Sequence, residues 1–211
     1  MPVEPRIFVV DDDPDVRDSL ATLLVSSGYA AETFESAAKF LAYGGSDLNG
    51  CVIADVRMPD MNGLELQEEL ARRSTSLSVI IVTGHADVPL AVRAMKAGAI
   101  DFLEKPFDHT TLLASIDRAL EAAKPAAGRS AATKEVEERM ATLTERERQV
   151  LELIVEGHAN KMIAYHLTIS PRTVELHRAR VMDKMLVRSV AELVRITLPL
   201  LNARSGPHST H

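Results

Sequence analysis

The stretch IFVVDDDP, residues 7–14, runs four apolar residues straight into three aspartates and a proline. Four apolar residues in a row, closed by turn-forming Asp and a helix-opening Pro, read as a strand buried on both faces with a helix behind it. The same grammar recurs downstream. Short apolar runs at 7–10, 30–34, 51–54, 79–82 and 101–103 alternate with amphipathic stretches at about 14–27, 36–42, 62–73, 87–97 and 109–122. Five strands alternating with five helices predict an α/β unit, a five-stranded parallel, doubly wound sheet covered on both faces.

Beyond residue 122 the pattern changes. KPAAGRSAA, residues 124–132, is rich in Pro, Gly and small residues and reads as a linker, and 133–143 can extend a helix from it. From 144 onward only helical periodicity remains. Thr144 and Glu147 form a capping box, S/T-x-x-E, ahead of Val150, Leu151 and Ile154, and Gly157 ends that helix. A short helix at about 160–167, a turn at 168–170, a longer helix opened by Ser170-Pro171 and a last helix at about 189–198 follow. The expected organisation is an α/β domain at 1–122, a partly helical linker at 123–142, an all-α four-helix domain at 143–201 and a disordered polar tail at 202–211.

Composition narrows the class. Apolar residues make up 46% of the 211 and charged residues 26%, enough for a packed core, and the lone Cys51 excludes an internal disulfide or a zinc site of two or more thiolates. The longest apolar runs fall far short of the ~20 residues of a membrane span, and the N-terminus does not read as a secretory signal, so the expectation is a cytoplasmic protein with no membrane partner. Charge is uneven. Residues 1–124 carry 11 Lys+Arg against 20 Asp+Glu, whereas 125–211 carry 13 against 10, which points to two modules with different partners.

Ligands of an open parallel sheet bind beyond the carboxyl ends of its strands. Asp11, Asp12 and Asp13 follow the first strand, Asp55 the third, Thr83 the fourth, and Lys105 stands two residues past Leu103. Crowded carboxylates repel, which favours a hard divalent cation, and beside one a carboxylate can attack phosphorus and form an aspartyl phosphate. Thr83 could donate to a phosphoryl oxygen and Lys105 pair with another. Asp is also common after strands because it starts turns and caps helices, and Asp13, just before Pro14, fits that simpler role. Four matched strand ends are hard to assign to turns alone.

VVDDDPDVR (9–17), IADVRMPDMNGLEL (53–66), IIVTGHAD (80–87) and AIDFLEKPF (99–107) together closely resemble the receiver domain of two-component response regulators. The resemblance implies a flavodoxin-like receiver fold in which Asp55 accepts the phosphoryl group. It implies that Asp11, Asp12, Asp55 and the backbone carbonyl of Arg57 hold Mg²⁺ or Mn²⁺, and that Thr83 and Lys105 contact the phosphoryl group. It also implies a cis Lys105–Pro106 bond and a switch made of Thr83 and Phe102, the latter otherwise an ordinary core aromatic. Arg57 and His85 would either tune water access or be solvated side chains.

LTERERQVLELIVEGHANKMIAYHLTISPRTVELHRARVMDKM, from residue 143, resembles the LuxR-type helix-turn-helix, and with the receiver makes the chain similar to the FixJ/NarL class. At about 100° per residue, Val174, Val181 and Met185 form one buried stripe of the helix at 171–185. Glu175, Leu176 and Ala179 lie away from it near the N-terminal end, where a recognition helix reads bases. Lys161, Arg172, Thr173, His177, Arg180 and Lys184 suit phosphates, although a solvated helix face would look the same. His158, His166 and His177 have no i, i+4 pair and are not read as a metal site. Three positions depart from the family: Thr168 in the turn and Leu186 after the recognition helix stand where Gly is usual, and Met162 replaces an acidic residue.

The resemblance therefore implies a regulator phosphorylated by a sensor histidine kinase. Remodelling of the face at 87–97 and 101–103 would drive homodimerisation, promoter binding on double-stranded DNA and contact with RNA polymerase. Its only catalysis would be its own phosphoryl transfer and autodephosphorylation. Competing readings are a DNA-binding protein with an inert receiver, a metal-dependent phosphatase, for which no second acid/base near Asp55 is evident, and an interaction module without DNA output.

Overall fold

The computed structural model describes residues 5–43, 48–73, 75–122 and 129–204. They fall into two compact units, one of residues up to 86 and from 97 to 122, the other of 87–96 and from 129 on.

In the first unit the strands are β1 (Arg6–Val10), β2 (Ala30–Phe34), β3 (Gly50–Asp55), β4 (Ser78–Thr83) and β5 (Asp101–Glu104). They form one parallel sheet in the order β2-β1-β3-β4-β5. Its helices are α1 (Pro14–Ser26), α2 (Ala37–Tyr43), α3 (Gly63–Arg72) and α5 (His109–Ala122). All six residues of β3 are buried, as a central parallel strand requires. Ile7, Val9, Ile53, Ile80 and Val82 share a core with Leu20 and Leu24 of α1 and Leu112 and Ile116 of α5. Phe8 points to the opposite face, where it meets Phe34, Phe40 and Tyr43 at centroid distances of 5.5–6.4 Å.

Register lines up the strand ends. Val10 pairs with Ala54, Asp55 with Val82, and Thr83 with Glu104. The residues that leave β1, β3, β4 and β5 therefore emerge at one rim. Local chemistry stops the strands there. Asp13 caps α1 by accepting from Asp15 N–H at 2.9 Å, and Pro14 occupies the first turn. Asn62 and Glu65 form a capping box that opens α3. Gly63 is needed for that turn, because a Cβ there would lie 2.4 Å from the Asp55 carbonyl oxygen.

The second unit is helical: α4 (Val88–Lys96), α6 (Arg129–Ala141), α7 (Glu145–Glu156), α8 (Asn160–Leu167), α9 (Pro171–Met185) and α10 (Val190–Arg204). Val150, Leu151 and Ile154 of α7, Ile163 of α8, Val174, Val181 and Met185 of α9, and Leu193 and Val194 of α10 are fully buried. The stripe at 174, 181 and 185 is the one the periodicity predicts. Thr144 caps α7 as expected, and Gly157 ends it in the left-handed region at φ 99°. α10 runs further than expected, passing through Pro199 to Arg204. Buried Leu200 just beyond the proline continues its packed face. Residues 202–204 are thus helix rather than tail, and the rest of the expected tail, like 123–128 of the expected linker, lies outside the described residues.

Thr168 and Leu186 both adopt left-handed caps, each at φ 55°. A non-glycine residue there costs roughly 1–2 kcal/mol. Leu186 is exposed and contributes little burial in return. Leu186→Gly is expected to stabilise this unit by about 1 kcal/mol, less any gain in unfolded-state entropy. A lower melting temperature for the variant in calorimetry would show that the Leu186 backbone is not strained.

Candidate functional site

At the carboxyl rim of the sheet three polar side chains are buried: Asp11, Asp55 and Thr83, at 2%, 5% and 0% exposure. The Lys105 ammonium joins two of them, with Nζ 2.6 Å from Asp11 Oδ2 and 2.6 Å from Asp55 Oδ1. The other carboxylate oxygens meet backbone donors. Asp11 Oδ1 accepts from Asp13 N–H at 3.0 Å, and Asp55 Oδ2 accepts from Arg57 N–H. Lys105 reaches the rim directly from β5, where its N–H bonds the Thr83 carbonyl at 2.7 Å, and the Lys105–Pro106 bond is cis.

Electrostatics leaves this cluster unbalanced. Burial pushes the Asp55 carboxyl up, the Lys105 ammonium pulls it back, Asp11 pushes it further, and the net is a raised pKa. Burial also opposes the charge on Lys105, but its two carboxylate partners outweigh that and raise its pKa. Asp12, next to Asp11 in the chain, is exposed. Two buried carboxylates against one ammonium leave a net negative charge, which suits a hard divalent cation by charge and donor chemistry. Among the described residues no three acidic or histidine groups form a ready-made ion cage.

The remaining expected residues lie as follows. The Thr83 hydroxyl is turned onto its own loop, donating to the His85 carbonyl and accepting from His85 N–H, both at 3.2 Å. Arg57 and His85 are exposed. Phe102 is 5% exposed, so an outward-facing ring is not its starting position here. Sequence reasoning missed two fixings of the rim. Arg17 donates to the Asp11 carbonyl at 2.7 Å, and Arg118 and Ser115 of α5 both bond Asp101 at the start of β5. An arginine four residues after Asp13 was the available signal for the first; the second joins residues 14 and 17 positions apart and has no local pattern.

On α9 the candidate base readers Glu175, Leu176 and Ala179 are exposed, with Leu176 at 55% despite being apolar. Lys161, Arg172 and Arg180 are exposed too. Thr173 is part-buried and held by Ser170, whose hydroxyl lies 2.8 Å from its own. His177 is part-buried, with Nδ1 fully covered and without a hydrogen-bond partner, which does not suit a simple phosphate donor. Arg178, absent from the expected contacts, donates to Asn160 and ties α9 to α8. The His158 and His166 rings lie 4.9 Å apart although they are not an i, i+4 pair.

Lys184 departs most from its expected role. Its Nζ lies 2.7 Å from Glu147 Oε2 and 3.0 Å from the Thr142 carbonyl, so it points toward protein. Glu147 is 2% exposed. Its bonds to Lys184 and to Thr144 N–H pull its pKa down to about 2. A carboxylate with a lowered folded pKa stabilises above its ordinary pKa of 4.5 and loses that contribution as pH falls toward 2. The melting-temperature gap between the wild-type chain and Glu147→Gln is therefore expected to be widest above pH 5 and to close on acidification. A pH-independent gap would refute this ion pair.

Two families match the chain: "Response regulator receiver domain" over residues 7–117, and "Bacterial regulatory proteins, luxR family" over residues 141–197. The transcriptional regulatory protein FixJ of Azorhizobium caulinodans is 52% identical over 94% of this chain and 94% of its own. FixJ of Rhizobium meliloti is 48% identical over 91% of this chain and 94% of its own. Response regulator protein TodT of Pseudomonas putida is 41% identical over 90% and 84%. Among solved structures, full-length FixJ from B. japonicum aligns with TM-score 0.53 at 45% identity over 93% of this chain and 97% of that one. The response regulator StyR aligns with TM-score 0.55 at 44% identity over 93% and 100%. Among the described residues no helix is long and apolar enough to cross a membrane.

Proposed function

Because the chain belongs to the two-component response regulators of the FixJ/NarL class, a receiver joined to a LuxR-type DNA-binding domain, it is a transcription regulator, and we propose that a sensor histidine kinase switches it at Asp55. The observation that carries this reading is the shared ammonium: Asp11 and Asp55, both buried, converge on Lys105 at the strand-end rim. An Asp55 oxygen attacks the phosphorus of a phosphohistidine. The new O–P bond forms as the P–N bond breaks, and the electron pair and a proton return to the imidazole. Asp11, Asp12, Asp55 and the Arg57 carbonyl would hold Mg²⁺ or Mn²⁺, which when bound neutralises charge on the transferring group.

This chain's own residues then respond to the added charge. Lys105 is already in bonding distance of Asp55 and shifts onto a phosphoryl oxygen. Thr83 gives up its two bonds to His85 and donates to another phosphoryl oxygen. Since Phe102 is already covered, the change at β5 is a repacking of that ring rather than burial of an exposed one. The chain pairs with a second copy, and two α9 helices bind two half-sites of promoter DNA in the cytoplasm, where RNA polymerase is engaged. Beyond its own phosphorylation and dephosphorylation the chain needs no enzymatic activity.

The test is a titration of gel-filtration mass and duplex binding, with and without acetyl phosphate and Mg²⁺. The expected result is a dimer and tighter binding only with the phosphodonor. Equal mass and equal affinity in both conditions would point instead to a DNA-binding protein with an inert receiver.

A further inference from the structure

The last turn of α9 is fastened to the corner between α6 and α7 by two cations that cross. Lys184 of α9 donates to the Thr142 carbonyl at the end of α6, at 3.0 Å, and to Glu147 in the first turn of α7, at 2.7 Å. In the other direction, Arg139 of α6 donates to the Met185 carbonyl at the end of α9, at 3.3 Å. Each helix thus supplies a cation to a carbonyl that the other helix leaves unsatisfied. Glu135, one turn before Arg139, holds that guanidinium at 2.5 Å. Met140, Leu143 and Met185 are buried around the corner, at 1%, 6% and 0% exposure. Glu147 has 3% of its side chain exposed, so the Lys184 carboxylate partner is inside the protein and not on the surface.

We propose that Lys184 is a positioning residue that, together with Arg139 and Glu147, clasps the end of α9 to the α6–α7 corner and thereby aims the reading face at Glu175, Leu176 and Ala179, rather than neutralising a DNA phosphate. The inference rests on the reading that α9 enters DNA. Its leverage is geometric. At 1.5 Å rise per residue, Leu176 and Ala179 lie about 12 and 7.5 Å along the axis from Lys184. A tilt of about 10° at the clasp displaces the Leu176 end by about 2 Å, enough to lose a base contact. α6 is the helix that leads into this unit from the linker, so the clasp also makes the aim of α9 answer to the position of α6.

The experiment uses the full chain and a duplex that the wild-type chain selects from a random-sequence pool, with an unselected duplex as reference. Measurements are made at a temperature where circular dichroism shows each variant folded. Glu147→Gln leaves the Lys184 charge in place, and Lys184→Met removes it. Each is expected to weaken binding to the selected duplex about tenfold, with the slope of log affinity against log salt and the affinity for the reference duplex unchanged. The double variant should be no weaker than either single one. Arg172→Met, at an exposed phosphate candidate, should instead lower the slope by about 0.9.

A Lys184→Met slope lower by about 0.9, or Glu147→Gln binding as well as wild type, overturns the proposal. So does a variant that loses only thermal stability while keeping its preference for the selected duplex. If Lys184→Met does not fold, Glu147→Gln and Arg139→Met decide by the same measures. A wild-type chain that selects no duplex defeats the DNA reading itself, a result distinct from a failure of the clasp.

Discussion

Asp55→Asn is expected to take up no phosphoryl group from acetyl phosphate, and to lose the phosphodonor-dependent changes in mass and DNA affinity. The substitution is nearly isosteric. Lys105 and Arg57 N–H bond different oxygens of Asp55, Oδ1 and Oδ2, so the single amide oxygen of Asn keeps one of the two bonds. The amide NH2 then faces the other donor, a local cost at the rim. The side-chain volume is kept while the nucleophile is removed, because a neutral amide oxygen does not attack phosphorus as a carboxylate does. Asp11 is buried but pinned by Asp13 N–H and Lys105, and Asp12 faces solvent, so neither replaces Asp55 in line with a donor. Labelling at background, with far-UV circular dichroism unchanged, is the expected pair of results. An Asp55→Asn chain that still dimerises or tightens on DNA when acetyl phosphate is added would remove Asp55 from the mechanism.

Lys105→Met is expected to produce the largest loss of stability among substitutions at the rim. Lys105 Nζ is the side-chain donor to both Asp11 Oδ2 and Asp55 Oδ1. Without it two buried carboxylates face each other across an apolar thioether. Breaking a buried pair by deleting one partner costs about 3–5 kcal/mol. Here the ammonium has 23% of its side chain exposed, so the lower end, about 3 kcal/mol, applies. In chelator the melting temperature should fall by on the order of 10 °C. Added Mg²⁺ should restore more of it in the variant than it adds to the wild-type chain, since the variant has more uncompensated charge to neutralise. An unchanged melting temperature in chelator would mean that the carboxylates need no ammonium, and the charge argument for the site would fail.

How much of this was legible in the sequence depended on distance along the chain. The strand ends were legible because four apolar residues followed by Asp carry their own meaning: Asp11 and Asp55 fall where β1 and β3 stop. Caps were legible for the same reason, since Thr144 with Glu147 and Ser170 with Pro171 act within one turn. The left-handed caps at Thr168 and Leu186 were legible as positions, because glycine was expected there, although neither residue favours that geometry. Long-range pairing was not. Nothing near residue 184 announces that its ammonium will meet a glutamate 37 positions earlier. On a helical wheel Lys184 is one more cation on a basic face, and only the packing of α7 against α9 turns it inward. α10 was expected to end near 198, whereas the helix passes through Pro199 and the buried Leu200 beyond it continues the packed face.

The uneven charge at the rim has a price in ruggedness. An arrangement kept short of neutrality forgoes stabilisation that a salt-balanced or hydrophobic replacement would supply. Someone wanting a durable scaffold from this α/β unit would begin by converting Asp12 to Asn, at the expense, on the proposed function, of a ligand for the divalent cation.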